Sequence, residues 1–189
     1  MRKQHSDNKT SAVIVIFLAG IMIFSVVGFI YVGDSQQSQT IGGLKYILTN
    51  QGWMVNVEGH QYYFDFLPTE ISFGLDPLVS SAMNSSEMVY ITYDPESEDK
   101  ERLSQIQYEI KEALNSKEIF VKNAFTKDND YGMTVITCDD ATSSVPVIEL
   151  RTSGNFSISY ENGCIDAVSE PSDFLMLRDI LVYSALGII

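Results

Sequence analysis

Residues 88–125, MVYITYDPESEDKERLSQIQYEIKEALNSKEIFVKNAF, decide the fold class. Met88–Tyr93 is an apolar, aromatic run of strand length, and Asp94-Pro95 ends it, because the residue before a proline is pushed out of regular pairing. From Glu98 to about Ser116 the apolar positions change period. Leu103, Ile106, Ile110, Ala113 and Leu114 fall on one face of a helix, with Asp99 and Glu101 in the first turn, where the helix dipole favours negative charge. Ile119–Phe125 is again strand-like. Strand, helix, strand in that order predicts a right-handed βαβ crossover inside a mixed sheet.

Toward the N-terminus, Leu44–Thr49, Trp53–Glu58 and Gln61–Phe66 are rich in aromatic and β-branched residues. Asn50-Gln51-Gly52 and Glu58-Gly59-His60 join them with turn residues, so the three predict an antiparallel meander. Trp53, Val55 and Val57 share one face by the period of two, as do Tyr62, Phe64 and Phe66, and that side reads as core. Pro68–Ser86 mixes Pro, Gly, Asn and Ser and reads as an irregular connection with no more than a short helix.

Toward the C-terminus, Lys127–Gly132 (KDNDYG) is a turn and Thr134–Cys138 a strand. Val145–Arg151 and Phe156–Tyr160 read as a hairpin through Ser153-Gly154, with Gly163–Val168 as a last strand. Ser172 to about Leu186 opens beside Pro171 and Asp173 and carries Phe174, Leu177, Ile180, Leu181 and Ala185 in helical register. Arg178 and Asp179 midway make this helix too charged, and its ~15 residues too short, to cross a membrane. The expected fold is α+β: a mixed, mainly antiparallel sheet of meander, βαβ unit and hairpin with two packed helices.

A different solvent is expected for Ala12–Val32, AVIVIFLAGIMIFSVVGFIYV, which has no charge. A bilayer core of ~30 Å needs about 20 helical residues at 1.5 Å each, so this run is read as one transmembrane helix in contact with the lipid bilayer. A cleaved signal peptide would end in a small-x-small site, which GFIYVGDS does not offer. Arg2, Lys3 and Lys9 precede the run and Asp34 is the first charge after it, so the N-terminus is expected in the cytoplasm and the remainder outside the cell membrane. Asp34–Gln39 (DSQQSQ) reads as linker. The expected organisation is a cytoplasmic tail (1–11), a transmembrane helix (12–32), a linker (33–42) and an extracytoplasmic domain (43–189).

The chain holds 12 Lys+Arg against 25 Asp+Glu. Three of the bases and one acid, Asp7, precede residue 12, which leaves 9 against 24 and a net charge of −15 beyond it. Such a surface repels phosphate backbones, so nucleic acid is excluded as a partner. Cys138 and Cys164 both fall in the part expected outside, where an even number of cysteines reads as paired; one bridge there is worth ~3 kcal/mol. In a cytoplasmic domain they would instead be two buried thiols. Asn84-Ser-Ser and Asn155-Phe-Ser match the glycosylation sequon.

Chemistry is sparsely signalled. His5 lies in the tail and His60 in a hairpin turn, where side chains are normally solvated. No nucleophile elbow, zinc-protease helix, phosphate loop or dinucleotide fingerprint occurs, and no cofactor is expected. Asp128-x-Asp130-x-Gly132 resembles the start of a calcium loop, with Asp139 at its twelfth position; the sixth is Met133 where such a loop needs glycine. These three aspartates are the only metal candidates. Asp94, Glu96, Glu98, Asp99 and Glu101 read as a solvated loop and helix start.

Three segments together carry a resemblance: GWMVNVEGHQYYFDFLPTEI (52–71), CDDAT followed by VPVIELRTSGN (138–155), and GCIDAVSEPSDFLMLRDILVYSALGII (163–189). They resemble uncharacterised archaeal single-pass membrane-anchored proteins with an extracytoplasmic α+β domain. The resemblance implies a lineage and a compartment and assigns no reaction. Three functions are weighed: a non-enzymatic module that binds or assembles with another envelope protein, a pilin-like filament subunit, and an extracytoplasmic hydrolase using paired carboxylates. The first is expected. A pilin would need a processing site before Ala12, and Lys9-Thr10-Ser11 is a poor one.

Overall fold

The computed structural model describes residues 14–22, 37–71 and 74–189. The chain divides into two compact units, Met1–Gln37 and Ser38–Ile189. In the first unit, residues 14–22 are helical (α1, as far as described). The rest of the run Ala12–Val32 and the tail 1–11 lie outside the described residues, and among those described no helix is long and apolar enough to cross a membrane.

The second unit contains two sheets. In the first, β1 (Ser38–Ile41), β2 (Leu44–Thr49), β3 (Gly52–Val57) and β4 (His60–Phe64) form an antiparallel meander in chain order. Trp53 pairs with Phe64 and Val55 with Tyr62, so the expected apolar face is present: Tyr46, Trp53, Val55 and Phe64 are buried. The helix α2 (Pro77–Ser85) follows. Asp76 caps it by accepting from the Leu78 amide at 2.9 Å, and Pro77 occupies the first turn, where its missing N–H costs nothing.

The second sheet runs β6-β5-β7-β9-β8, with β5 (Met88–Tyr93), β6 (Phe120–Phe125), β7 (Val147–Thr152), β8 (Ser157–Glu161) and β9 (Cys164–Ser169). β5, β6, β7 and β9 are parallel, and β8 closes one edge antiparallel to β9. The crossover helix α3 (Lys100–Asn115) joins β5 to the neighbouring β6, as the opening stretch requires. Rows across the sheet alternate in character. Ile91, Ile148 and Ile165 form one row in the core, while Thr92, Glu149, Asp166 and Ser159 form the next, on the opposite face.

The last helix, α4 (Phe174–Leu186), begins after a single 3-10 turn at Pro171–Asp173. It is buried nearly all round and lies between the sheets, since Tyr183 meets Tyr46 and Phe64 of the meander while the helix also packs on α3 and β9. A helix that is apolar on every side belongs in an interior.

Four expectations are corrected. The single, mainly antiparallel sheet is two sheets, one antiparallel and one mixed. β7 and β8 are not a hairpin: β9 inserts between them, because its residues are buried on both faces, as a central parallel strand requires, whereas β8 alternates like an edge. Thr134–Cys138 is no strand. It pairs only through Val135 with Phe125, then turns through Cys138–Asp140, because residues 126–146 lie across the polar face of the sheet. Thr92 Oγ1 donates to the Ile136 carbonyl at 2.9 Å and the Cys138 amide donates to Glu149 at 3.1 Å. Ser38–Ile41, within the expected linker 33–42, is a polar edge strand, since ladder bonds use backbone alone.

Candidate functional site

α3 presents Arg102, Gln105, Ile106, Glu109 and Glu112 at helical spacing, and α4 presents Leu175, Arg178 and Val182 in the same way. Between the two helices runs a groove of two depressions, of about 370 and about 360 Å³, which share Glu109 and Arg178. Tyr62 and Tyr63 of β4 wall the far end, and the Tyr62 hydroxyl donates to Ser116 Oγ at 2.8 Å, tying the meander to the end of α3. At the near end Arg102 donates to the Pro171 carbonyl at 3.1 Å. Exposed apolar side chains line it: Tyr108 is 59% exposed, Leu175 51% and Tyr63 39%.

The midpoint is charged. Arg178 donates to Glu109 at 3.1 Å and to Asp65 at 2.5 Å, and its Nη2 lies 2.6 Å from Asp179 Oδ1. Asp179 itself is fully buried, and its Oδ2 accepts the backbone amides of Asp65 and Phe66, both at 2.8 Å. Burial drives the Asp179 carboxyl up to about 6, against the pull of Arg178 and the amides. The reason is local stoichiometry. One guanidinium serves three carboxylates, so it cannot fully compensate the one that has lost its water. For Arg178 burial opposes the charge, and Asp179, Glu109 and Asp65 outweigh it, holding the guanidinium above its ordinary value. Burial likewise raises the phenols of Tyr183 and Tyr46. Arg178 is therefore a fixed cation in the floor of the groove, with little freedom to reorient.

The candidates read from sequence lie elsewhere and apart. Asp128 and Asp130 line a surface concavity with Glu96, in a loop shaped by Asn129, whose side chain accepts from the Tyr131 and Met133 amides. Asp139 lines a different concavity with Glu149, Arg151 and Asp166. There Arg151 Nε donates to Asp166 at 2.7 Å, and a second arm of the same guanidinium pairs with the other carboxylate oxygen. No group of three or more His, Cys, Asp or Glu among the described residues is arranged to hold a metal ion. His60 is exposed at the start of β4. Cys138 and Cys164 lie at disulfide distance, with Cα atoms 5.2 Å apart.

Sequence reading notes Arg178 and Asp179 only as charges that forbid a membrane helix. An adjacent cation and anion inside an otherwise apolar helix is the available signal for a buried pair; its partners, Asp65 and Glu109, are supplied by the bend after β4 and by α3. No protein-family model, curated protein or solved structure matches the chain.

Proposed function

We propose that the chain is a membrane-tethered, extracytoplasmic binding module that engages another envelope protein through the groove between α3 and α4. Residues 12–32 anchor it in the bilayer, N-terminus inward, and the Ser38–Ile189 unit faces an oxidising exterior where Cys138 and Cys164 pair. The observation that carries the binding role is the groove itself. Tyr63, Tyr108 and Leu175 are exposed around the buried Arg178 centre, and interfaces are enriched in tyrosine and arginine with desolvated surroundings.

The test is affinity capture from native membranes with the full chain, then binding of the identified partner, purified, to wild type and to Tyr108→Ala and Leu175→Ser. Removing a buried interface anchor costs about 1–3 kcal/mol, so each variant should weaken binding roughly 10-fold or more. Equal affinity for wild type and both variants would remove the groove from the interaction.

A further inference from the structure

The sequence contains three asparagine sequons, Asn8-Lys-Thr, Asn84-Ser-Ser and Asn155-Phe-Ser. We infer that Asn155 is the N-glycosylation site of this protein and that Asn84 is not. The inference rests on the extracytoplasmic placement proposed above.

Asn84 is committed to the fold. Its side-chain nitrogen donates to the Ser80 and Ser184 carbonyls, both at 2.8 Å, and its oxygen accepts from Lys117 at 2.6 Å. These bonds join α2 to the end of α4 and to the turn after α3. The sequon hydroxyl is equally engaged, since Ser86 is buried and donates to the Ala82 carbonyl at 2.8 Å. A sugar on that nitrogen would displace the contact with α4 and leave the Ser80 and Ser184 carbonyls without this donor.

Asn155 is placed oppositely, and topology is the reason. β7 and β8 are consecutive in the chain but separated by β9, so the connection 153–156 steps over the end of β9, held there by the Ser153 amide donating to the Ser169 carbonyl at 3.1 Å and by Phe156 packing on the core, with Asn155 exposed between them. Ser153, Gly154, Asn155 and Ser157 are all exposed. Space around them is open: even a Cβ built on Gly154 would come no nearer than 4.0 Å to another group, a Glu170 oxygen. Among the described residues neither the Asn155 amide nor the Ser157 hydroxyl is taken up by a hydrogen bond. The modification would also cover the free edge of β8, where unpaired backbone groups invite association.

The donor is an oligosaccharide linked to a polyprenyl phosphate or diphosphate. Asn155 Nδ2 forms a bond to the anomeric carbon, the bond from that carbon to the phosphate oxygen breaks, and the lipid phosphate leaves with the electron pair. The amide proton passes to a base of the host's membrane transferase.

The experiment expresses the full chain in a host whose own surface proteins carry N-glycans, with one such protein as control, and maps glycopeptides by mass. Expected is a glycan on the Asn155 peptide, absent in Asn155→Gln and Ser157→Ala, restored in Ser157→Thr and unaffected by Asn84→Gln. Digestion by protease added to intact cells is measured on the same preparation. An accessible domain with bare Asn155, or with a glycan on Asn84, overturns this inference while leaving the compartment standing. A protected domain, or a glycan on Asn8, overturns both.

Discussion

Tyr183 of α4 lies flat against Phe64 of β4, with ring centroids 3.8 Å apart and planes 15° from parallel. The same side chain meets Tyr46 edge-on and donates from its hydroxyl to the Phe66 carbonyl at 2.8 Å. One helical residue thus fixes the meander by its face and by its tip. Truncation to Tyr183→Ala should cost about 3–5 kcal/mol, as for other buried aromatics, whereas Tyr183→Phe keeps the stack and should lose about 1 kcal/mol with the hydrogen bond. Urea unfolding of the Ser38–Ile189 unit measures both; equal losses would show that the stack contributes nothing.

Asp179 imposes a pH dependence whose sign can be worked out. Its carboxyl titrates at about 6 in the folded chain, against 3.8 ordinarily. Between those values the native state holds a proton that the unfolded chain has released, so this group's contribution is full below pH 3.8 and is lost as pH rises through about 6. The difference is on the order of 3 kcal/mol. Stability of wild type relative to Asp179→Asn should therefore fall from pH 4 to about 6 and level off above. A relative profile that is flat or rises over that window contradicts the assignment.

Gly163 and Gly59 make a controlled pair. Both have left-handed backbone, with φ of +90° and +92°. A Cβ at Gly163 would fall 2.4 Å from the backbone of Thr142, while one at Gly59 meets nothing within 4 Å. Gly59→Ala should cost about 1–2 kcal/mol from conformation alone, and Gly163→Ala clearly more, because backbone has to move as well. Thermal unfolding of the two variants decides it; similar costs would deny the close approach of residues 142 and 163.

Pairing of Cys138 with Cys164 closes a separation of 26 residues across the polar face of the second sheet. By loop entropy such a bridge contributes about 3.5 kcal/mol. Cys138→Ala/Cys164→Ala should lose roughly that much, and thiol alkylation of the native protein should label neither sulfur until it is reduced. Labelling without reductant would argue against both the bridge and the oxidising compartment.

Much of the second unit was legible locally. The period of two in β2 to β4, the helical spacing of α3 and the βαβ order are all properties of short windows, and a pattern of burial written into a window survives into the fold. The hairpin between β8 and β9 was also written there, in Asn162-Gly163, where both residues have positive φ as a tight two-residue turn demands. What misled was adjacency: β7 and β8 are neighbours in the chain, and only the two-sided burial of β9 places it between them.

From sequence alone came the uncharged run 12–32, the acidic balance beyond it, the two cysteines and the identity of most strands and helices, because each is a sum or a period over nearby residues. The tertiary structure decided that there are two sheets with α4 between them, that Arg178 meets carboxylates from α3, from its own helix and from the bend after β4, and that the Asn84 side chain is spent on the fold while the Asn155 side chain is exposed. Periodicity tells which side of an element is covered. It does not say what covers it, since that depends on partners distant in the chain whose approach is settled only when the whole core closes.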